Sequence, residues 1–163
     1  MFGKLKSILG AKNAIEIPAP VAGKVVALSE VSDPTFSQGI LGQGCAIQPS
    51  EGRVIAPVDA TVSMMFETGH AVSLETADGV ELLIHVGLDT VMLRGEHYTA
   101  HCASGDKVKA GDLLMEFDIE AIRAAGYDTV VPVVVCNADD FSQITAQPGQ
   151  VVKVRDPLMT LQK

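Results

Sequence analysis

The chain of 163 residues repeats two of its segments, and this repetition restricts the fold more than any other feature. The segment "APVAGKV" (residues 19–25) recurs as "APVDATV" (residues 56–62), and "GDKVKAGDLLM" (residues 105–115) recurs as "GQVVKVRDPLM" (residues 149–159). Each copy joins a short apolar run to turn residues, which is typical of a strand–turn unit. Two units used twice predict a duplicated β architecture with internal pseudo-symmetry. Chance similarity between turn sequences is the alternative.

The rest of the chain from Ile15 onward also favours β structure, because short runs rich in Val and Ile alternate with Gly, Pro and Asp. We expect an all-β fold: an antiparallel β sandwich or barrel-like sheet pair with one or two short helices. The segment "DIEAIRAAG" predicts a helix with Asp118 as N-cap and Gly126 as its stop. Asn137 is expected to cap a second short turn. No linker divides residues 15–163, so we expect one domain there.

Composition limits the partners and the compartment. The formal net charge of -8 leaves no basic patch for phosphates and argues against nucleic acid, whereas it suits a basic protein partner. Aromatic residues make up 4% and Trp is absent, so the core must be aliphatic. The cysteine count is odd and no C-x-x-C spacing occurs, which indicates a reducing compartment and a cytoplasmic protein.

The N-terminal segment "MFGKLKSILGAK" is too short and interrupted for a signal peptide or a membrane span. On a helix, its large apolar residues would share one face opposite three lysines. Residues 1–14 are therefore either a flexible tail or an amphipathic segment. In the second case residues 1–12 would contact an anionic membrane surface, and the protein would be peripheral at the inner membrane face.

Two histidines flank a predicted hairpin in "GHAVSLETADGVELLIHVG" (residues 69–87). Asp78-Gly79 is typical of a two-residue type I′ turn, which would pair Val72 with His85. His70 would then lie diagonal to His85 on the same sheet face, within reach of its ring. A shift of one residue would put the two rings on opposite faces. This register predicts one face that carries His70, Val72, Leu74, Leu83 and His85.

Two imidazoles side by side on an apolar surface point to a functional site rather than a silent buried histidine. Without a third ligand at metal spacing they make a poor permanent zinc site. Neutral imidazole has one unprotonated nitrogen and can itself be the nucleophile that accepts a phosphoryl group. The N–H of the neighbouring ring could then donate to the charged oxygens.

The segment "GVELLIHVGLDTV" (residues 79–91) closely resembles the active-site signature of the glucose-type enzyme IIA of the bacterial phosphoenolpyruvate-dependent sugar phosphotransferase system. Further similar segments include "IEIPAPVAGKVV", "FETGHAVSLET" and "GDKVKAGDLL". The resemblance covers nearly the whole chain. It implies an antiparallel β sandwich with a duplicated hybrid motif, with residues 15–163 as the enzyme IIA domain.

The resemblance also implies a role for each site residue. His85 would be phosphorylated on Nε2 by the histidine phosphocarrier protein and would pass the group to a cysteine of a sugar-specific enzyme IIB. His70 would stabilise the phosphoryl group during transfer. Thr68 would orient the ring of His70, and the Gly87 carbonyl would fix the tautomer of His85.

The family's docking surface is apolar with an acidic rim. Val72 and Leu83 are smaller here than the Phe found in many members. No resident cofactor is implied, although regulatory members bind metabolic enzymes or permeases, and a zinc ion shared by His70, His85 and a partner carboxylate can form at that interface. The residues implied for the apolar face are Phe36, Phe66, Val72, Leu83 and Val91, and those implied for the rim are Asp33 and Asp89.

A zinc endopeptidase of the lysostaphin type is the alternative, because that class has a related duplicated fold. Such enzymes need an H-x-H pair together with further His and Asp ligands. Here the residue two before His85 is Leu83, so the pair is missing.

Overall fold

The computed structural model describes residues 14–163, which form fourteen β-strands and two short α-helices. The predicted membrane contact of residues 1–12 therefore lies outside the described residues. All strand pairings are antiparallel, which confirms the predicted fold class. The strands are β1 (Ala14–Pro18), β2 (Gly23–Ala27), β3 (Gln43–Pro49), β4 (Arg53–Ile55), β5 (Ala60–Met65), β6 (Ala71–Thr76), β7 (Glu81–His85), β8 (Tyr98–Ala100), β9 (Lys107–Val108), β10 (Leu113–Phe117), β11 (Val131–Val135), β12 (Gln143–Ala146), β13 (Val151–Val152) and β14 (Pro157–Gln162).

These strands form three sheets. The largest has eight strands in the order β13-β2-β3-β11-β7-β6-β5-β9, and the others have the orders β4-β10-β8 and β1-β14-β12. The hairpin β6–β7 lies inside the large sheet, where β5 pairs with β6 and β11 pairs with β7. His85 is the last residue of β7, and His70 lies in the short turn between β5 and β6, so paired strands anchor both histidine-bearing segments and restrict the motion of the site.

The duplication is confirmed by the backbone hydrogen bonds. Ala19 exchanges hydrogen bonds with residues 155 and 156 at 2.8 and 2.7 Å, and Ala56 exchanges the equivalent pair with residues 111 and 112 at 2.8 Å each. The strand pairings match as well: β2 pairs with β13 in one copy, and β5 pairs with β9 in the other. The sequence repeat therefore corresponds to two copies of one strand–turn arrangement.

The core is aliphatic, as the composition predicts. The main cluster lies between the sheets, and each fully buried Leu or Ile in it contributes about 1.5–3 kcal/mol through burial. A smaller cluster covers the other face of the large sheet, beside the short helix at Pro34–Ser37. The largest buried side chains of the main cluster include Ile17, Ile47, Leu74, Leu82, Ile84 and Leu114, and the smaller cluster contains Val31, Phe36, Ala46, Leu88, Val130 and Val134.

The helices are short and capped by aspartates. The predicted helix is present as α2 (Ile119–Ala124), where Asp118 Oδ1 accepts from the backbone N–H of Ala121 at 3.0 Å and Gly126 has φ +95°. Sequence analysis missed α1 (Pro34–Ser37), which Asp33 caps. None of the helices in residues 14–163 has the length and apolar composition needed to span a bilayer.

Asn137 precedes the 3-10 turn Ala138–Asp140 as predicted, but its side chain does not cap that turn. Its amide oxygen accepts from the N–H of Glu81 at 2.9 Å, and its amide nitrogen donates to the carbonyl of Gly79 at 2.7 Å. Asn137 therefore fixes the closed end of the β6–β7 hairpin. The capping prediction is wrong because these hairpin groups use the side chain instead.

Candidate functional site

The turn of the histidine hairpin has three residues, not the predicted two. The N–H of Thr76 donates to the carbonyl of Val80, and the N–H of Gly79 donates back to the carbonyl of Thr76, both at 3.0 Å. Of the turn residues, Gly79 alone has a positive φ, at +81°. This is the three-residue hairpin loop with glycine in the left-handed region. The register shifts by one residue, and His85 lies opposite Ala71 rather than Val72.

Because of the shift in register, the β6 residues predicted to share a face with His85 lie on the opposite face of the sheet. Val72 pairs with Ile84 and is fully buried in the main core, so its predicted place on the docking surface is wrong. Leu74 lies in the same core and not on the face of His85. Leu83 shares a face with His85, but it is only 8% exposed and lies within the sheet surface.

The two imidazole rings nevertheless meet as predicted. Their centroids are 4.9 Å apart and their planes make an angle of 80°. The predicted reason, a diagonal pair within two strands, is wrong. His70 lies in the turn before β6, and its ring contacts His85 although the strand residue opposite His85 is Ala71, so its side chain does not follow the alternation of the strand.

The tautomer of His85 follows from its hydrogen bond. Nδ1 lies 2.8 Å from the carbonyl oxygen of Gly87, which can only accept, so Nδ1 carries the proton and Nε2 keeps its lone pair. Gly87 has φ +88°, and a Cβ at this position would lie 2.4 Å from Cγ2 of Thr90. The ring of Phe36 packs against His85 with its centroid at 5.0 Å. Together these contacts hold a half-buried imidazole with Nε2 as its free nitrogen.

His70 is held in a similar way from the side of β5. Its Nδ1 is hydrogen-bonded to the hydroxyl of Thr68, and the ring of Phe66 lies edge-on at 5.4 Å between centroids. Only 3% of the surface of residue His70 is exposed, and His85 is half-buried. Thr68 therefore contacts His70 where the resemblance implied that it would.

Both histidines are neutral at pH 7. Burial and the nearby His85 lower the pKa of His70 to about 4. Burial also lowers the pKa of His85, although the hydrogen bond to Gly87 and the charges of Asp33 and Asp89 oppose this effect. The carboxylates therefore lie close enough to His85 to act on its charge.

The implied docking residues differ in how much surface they offer. Val91 is 49% exposed, whereas Phe36 is buried at 3% and supports His85 from below. Phe66 and Asp33 are half-buried, and Asp89 is exposed. The apolar face is therefore narrower than the resemblance implied. Within residues 14–163, five further large apolar side chains are exposed that the sequence did not single out: Ile40, Leu41, Met64, Met92 and Val151.

Two hydroxyls near the histidines were also not predicted to matter. Thr90 and Tyr98 both donate to the carbonyl of Val86, at 2.7 and 2.8 Å respectively. Thr90 lies in the signature segment, so the sequence did contain an indication that this residue is functional. Nothing in the sequence indicated a role for Tyr98, because its contact with Val86 arises only from the tertiary fold.

The described residues around the histidine pair offer few metal ligands. His70 and His85 supply two ligands, and within residues 14–163 no three His, Cys, Asp or Glu side chains come together as metal ligands. Structural zinc generally takes four. The interfacial zinc that the resemblance implied stays a prediction.

The fold and the site define a class: an antiparallel β protein built around a pair of neutral histidines suited to phosphoryl transfer. Residues 15–141 match the family described as "phosphoenolpyruvate-dependent sugar phosphotransferase system, EIIA 1". The chain belongs to this family, the EIIA phosphotransferase components of that system. The resemblance drawn from the signature segment is confirmed, and the zinc endopeptidase alternative is not supported.

Known relatives agree with this assignment. A glucose-specific EIIA component from Oceanobacillus iheyensis is 41% identical over 148 residues, covering 86% of this chain and 90% of the relative. A β-glucoside-specific EIIBCA component from Bacillus subtilis is 47% identical over 145 residues, covering 89% of this chain and 24% of the relative. The chain thus spans about a quarter of the length of such EIIBCA relatives. The solved glucose permease IIA from Mycoplasma capricolum matches with a TM-score of 0.82 at 31% identity, covering 90% of this chain and 95% of that one.

Proposed function

We propose that this chain is a phosphoryl carrier that accepts a phosphoryl group on Nε2 of His85 from the histidine phosphocarrier protein and gives it to a cysteine of a sugar-specific enzyme IIB. The observation that carries the proposal is the hydrogen bond from Nδ1 of His85 to the carbonyl of Gly87, which leaves Nε2 unprotonated. Residues 15–163 are proposed to act as one EIIA domain in coupled sugar uptake and phosphorylation.

The reaction needs no proton transfer at His85. The Nε2 lone pair attacks the phosphorus of the phosphohistidine donor, and the donor's N–P bond breaks with its electron pair returning to the donor ring. Nδ1–H stays bonded to Gly87 throughout. In the second step the cysteine thiolate of enzyme IIB attacks the phosphorus, and the electrons of the Nε2–P bond return to His85. Such transfers depend mainly on positioning and on stabilisation of charge.

His70 is proposed to stabilise the phosphoryl oxygens as a neutral donor. When the hydroxyl of Thr68 donates to Nδ1, the single ring proton of His70 is on Nε2. The low pKa of His70 keeps this ring uncharged at pH 7. A neutral donor stabilises the phosphoryl group less than an imidazolium would, so the phosphorylated state can still pass its group on.

The acidic rim is proposed to select basic partners. Asp33 and Asp89 act electrostatically on His85, so a basic partner surface would be attracted directly to the site. Phosphorylation adds about -1.5 to -2 charges beside these carboxylates, which favours release of the group to the next acceptor. Val91, half exposed, would supply apolar contact in a short-lived complex.

Regulatory partners, the compartment and membrane contact are further parts of the proposal. Binding of metabolic enzymes or permeases, with zinc shared between His70, His85 and a partner carboxylate, is a proposal that rests on the resemblance. A cytoplasmic location is supported by three cysteines that are all free in the structure. Attachment of residues 1–12 to the inner membrane face remains a prediction.

The test is to incubate the chain with phosphoenolpyruvate, enzyme I and the phosphocarrier, and then to add candidate enzyme IIB domains. We expect His85→Ala to gain no phosphate, while His70→Ala gains phosphate but donates it slowly. His101→Ala is a matched control, because His101 pairs with Glu116 on the surface and not with the site. A His85→Ala protein that still gained an acid-labile phosphate would overturn the proposal.

A further inference from the structure

Val86, the residue that directly follows His85, is hydrogen-bonded to the backbone of His70. Its N–H donates to the carbonyl of His70 at 2.7 Å. Its carbonyl accepts from the hydroxyls of Thr90 and Tyr98. Because Val86 directly follows His85, its backbone links the position of one histidine to that of the other.

The carbonyl of Val86 belongs to the peptide that leads into Gly87, and the Gly87 carbonyl in turn holds Nδ1 of His85. A peptide unit is rigid and planar, so donors that fix the Val86 carbonyl also limit how Gly87 can turn. The two hydroxyls therefore act one peptide away from the group that orients His85.

Tyr98 also contacts the other histidine segment. A Cβ at Gly69, the residue before His70, would lie 3.3 Å from Cβ of Tyr98, so the base of the Tyr98 side chain lies close to Gly69. The ring of Tyr98 packs against the main core. Burial raises the pKa of its hydroxyl to about 12, so this group stays a neutral donor at physiological pH. Neither contact of Tyr98 involves the reacting atoms.

We propose that Tyr98 is a positioning residue for phosphoryl transfer: its hydroxyl on Val86 and its packing on Gly69 hold the two imidazoles at their working separation. The inference rests on the proposed function of the histidine pair. It assigns a role to a residue for which the signature gave none. Thr90 still satisfies the Val86 carbonyl when the tyrosine hydroxyl is removed, so Tyr98→Phe leaves no buried acceptor without a partner.

The experiment compares Tyr98→Phe with Tyr127→Phe, since Tyr127 is half-buried against the same core. We expect Tyr98→Phe to slow transfer to an enzyme IIB domain about 2- to 10-fold, the range of one net hydrogen bond, and Tyr127→Phe to leave it unchanged. In the His70→Ala background the effect of Tyr98→Phe should disappear, because the separation it maintains no longer matters. An equal effect in both backgrounds, or no effect in either, would overturn the proposal.

A second readout does not depend on transfer. In the unphosphorylated protein, Tyr98→Phe should shift the ring NMR signals of His70 and His85 and leave those of His101 in place. Unmoved histidine signals in a folded variant would contradict the positioning role. If the wild-type chain itself accepts no phosphate, the proposed function fails, while the NMR comparison still decides whether Tyr98 positions the pair.

Discussion

The imidazole rings of His70 and His85 lie edge to face, with their centroids 4.9 Å apart. This is an ordinary contact distance for two packed rings, so a phosphoryl group on one ring lies within reach of the other. Each Nδ1 is engaged by a neighbouring group, Thr68 for His70 and Gly87 for His85. The second nitrogen of each ring is therefore the one left for chemistry.

His70 should matter more for donation than for acceptance. His70→Ala removes a hydrogen bond to a charged phosphoryl group, which is worth about 1.5–3 kcal/mol and corresponds to a loss of roughly 10- to 100-fold in transfer to enzyme IIB. His70→Gln, which keeps an N–H donor, should recover part of the rate. Rapid-quench measurements on the pre-phosphorylated protein would check this, and equal rates for His70→Ala and wild type would refute the role of His70.

Phosphoryl acceptance should persist in mildly acidic solution. Burial lowers the pKa of His85 from 6.5, so more than half of the molecules keep Nε2 unprotonated at pH 6.5, and the midpoint of the fall in acceptance lies at lower pH. Asp33 raises this pKa, so Asp33→Asn should move the fall to still lower pH. NMR titration of the His85 ring measures the shift directly. A His85 pKa that is higher in Asp33→Asn than in wild type would contradict the electrostatic account.

Burial of His70 should make the fold sensitive to acid. Its pKa is about 4 in the folded protein and 6.5 without the fold, so between these values the unfolded chain binds more protons. The free energy of unfolding therefore decreases as pH falls from 6.5 towards 4. His70→Gln, which cannot be protonated in this range, should show a shallower decrease in denaturant titrations at pH 7, 6 and 5. Parallel slopes for the two proteins would rule out this contribution of His70.

Replacing Arg155 with glycine should stabilise the fold. It has φ +75°, whereas its counterpart in the other copy of the repeat, Gly111, has φ +94°. A side chain in the left-handed region costs about 1 kcal/mol, partly offset by the greater freedom of glycine in the unfolded chain. Arg155→Gly should raise the free energy of unfolding by about 0.5 kcal/mol or more. The reverse control, Gly111→Ala, should lower it, and a destabilised Arg155→Gly would contradict the argument.

Features of the fold and the site could be predicted from the sequence where they depend on neighbouring residues or on repeated segments. The duplicated segments correspond to the matched hydrogen bonds of Ala19 and Ala56, and Asp118 and Gly126 bound α2 as predicted. The histidine pair could be recognised because His70 and His85 flank one hairpin and the second lies in a specific signature.

The register of that hairpin could not be predicted from the sequence. Asp78-Gly79 suits a two-residue turn, but glycine also suits the last position of a three-residue loop, which is what forms with Ala77 included. The difference of one residue moves Val72 into the core. The turn residues alone do not distinguish these loops, whereas burial of the whole β6 face in the folded sheet does.

The contact between Tyr98 and Val86 could not be predicted from the sequence for a different reason. The two residues are 12 positions apart and their bond joins a side chain to a backbone carbonyl. Such a contact leaves no periodicity or spacing in the sequence. It requires the path of the chain through the 3-10 turn Thr90–Leu93.

The central claim is tested most directly by locating the phosphorus atom. The chain, labelled with 15N in its histidine rings, would be phosphorylated by phosphoenolpyruvate, enzyme I and the phosphocarrier and examined by NMR. We expect phosphorus coupling to Nε2 of His85 and to no other ring nitrogen, with Nδ1 of His85 still protonated. Coupling to Nδ1 of His85, or to either nitrogen of His70, would contradict it.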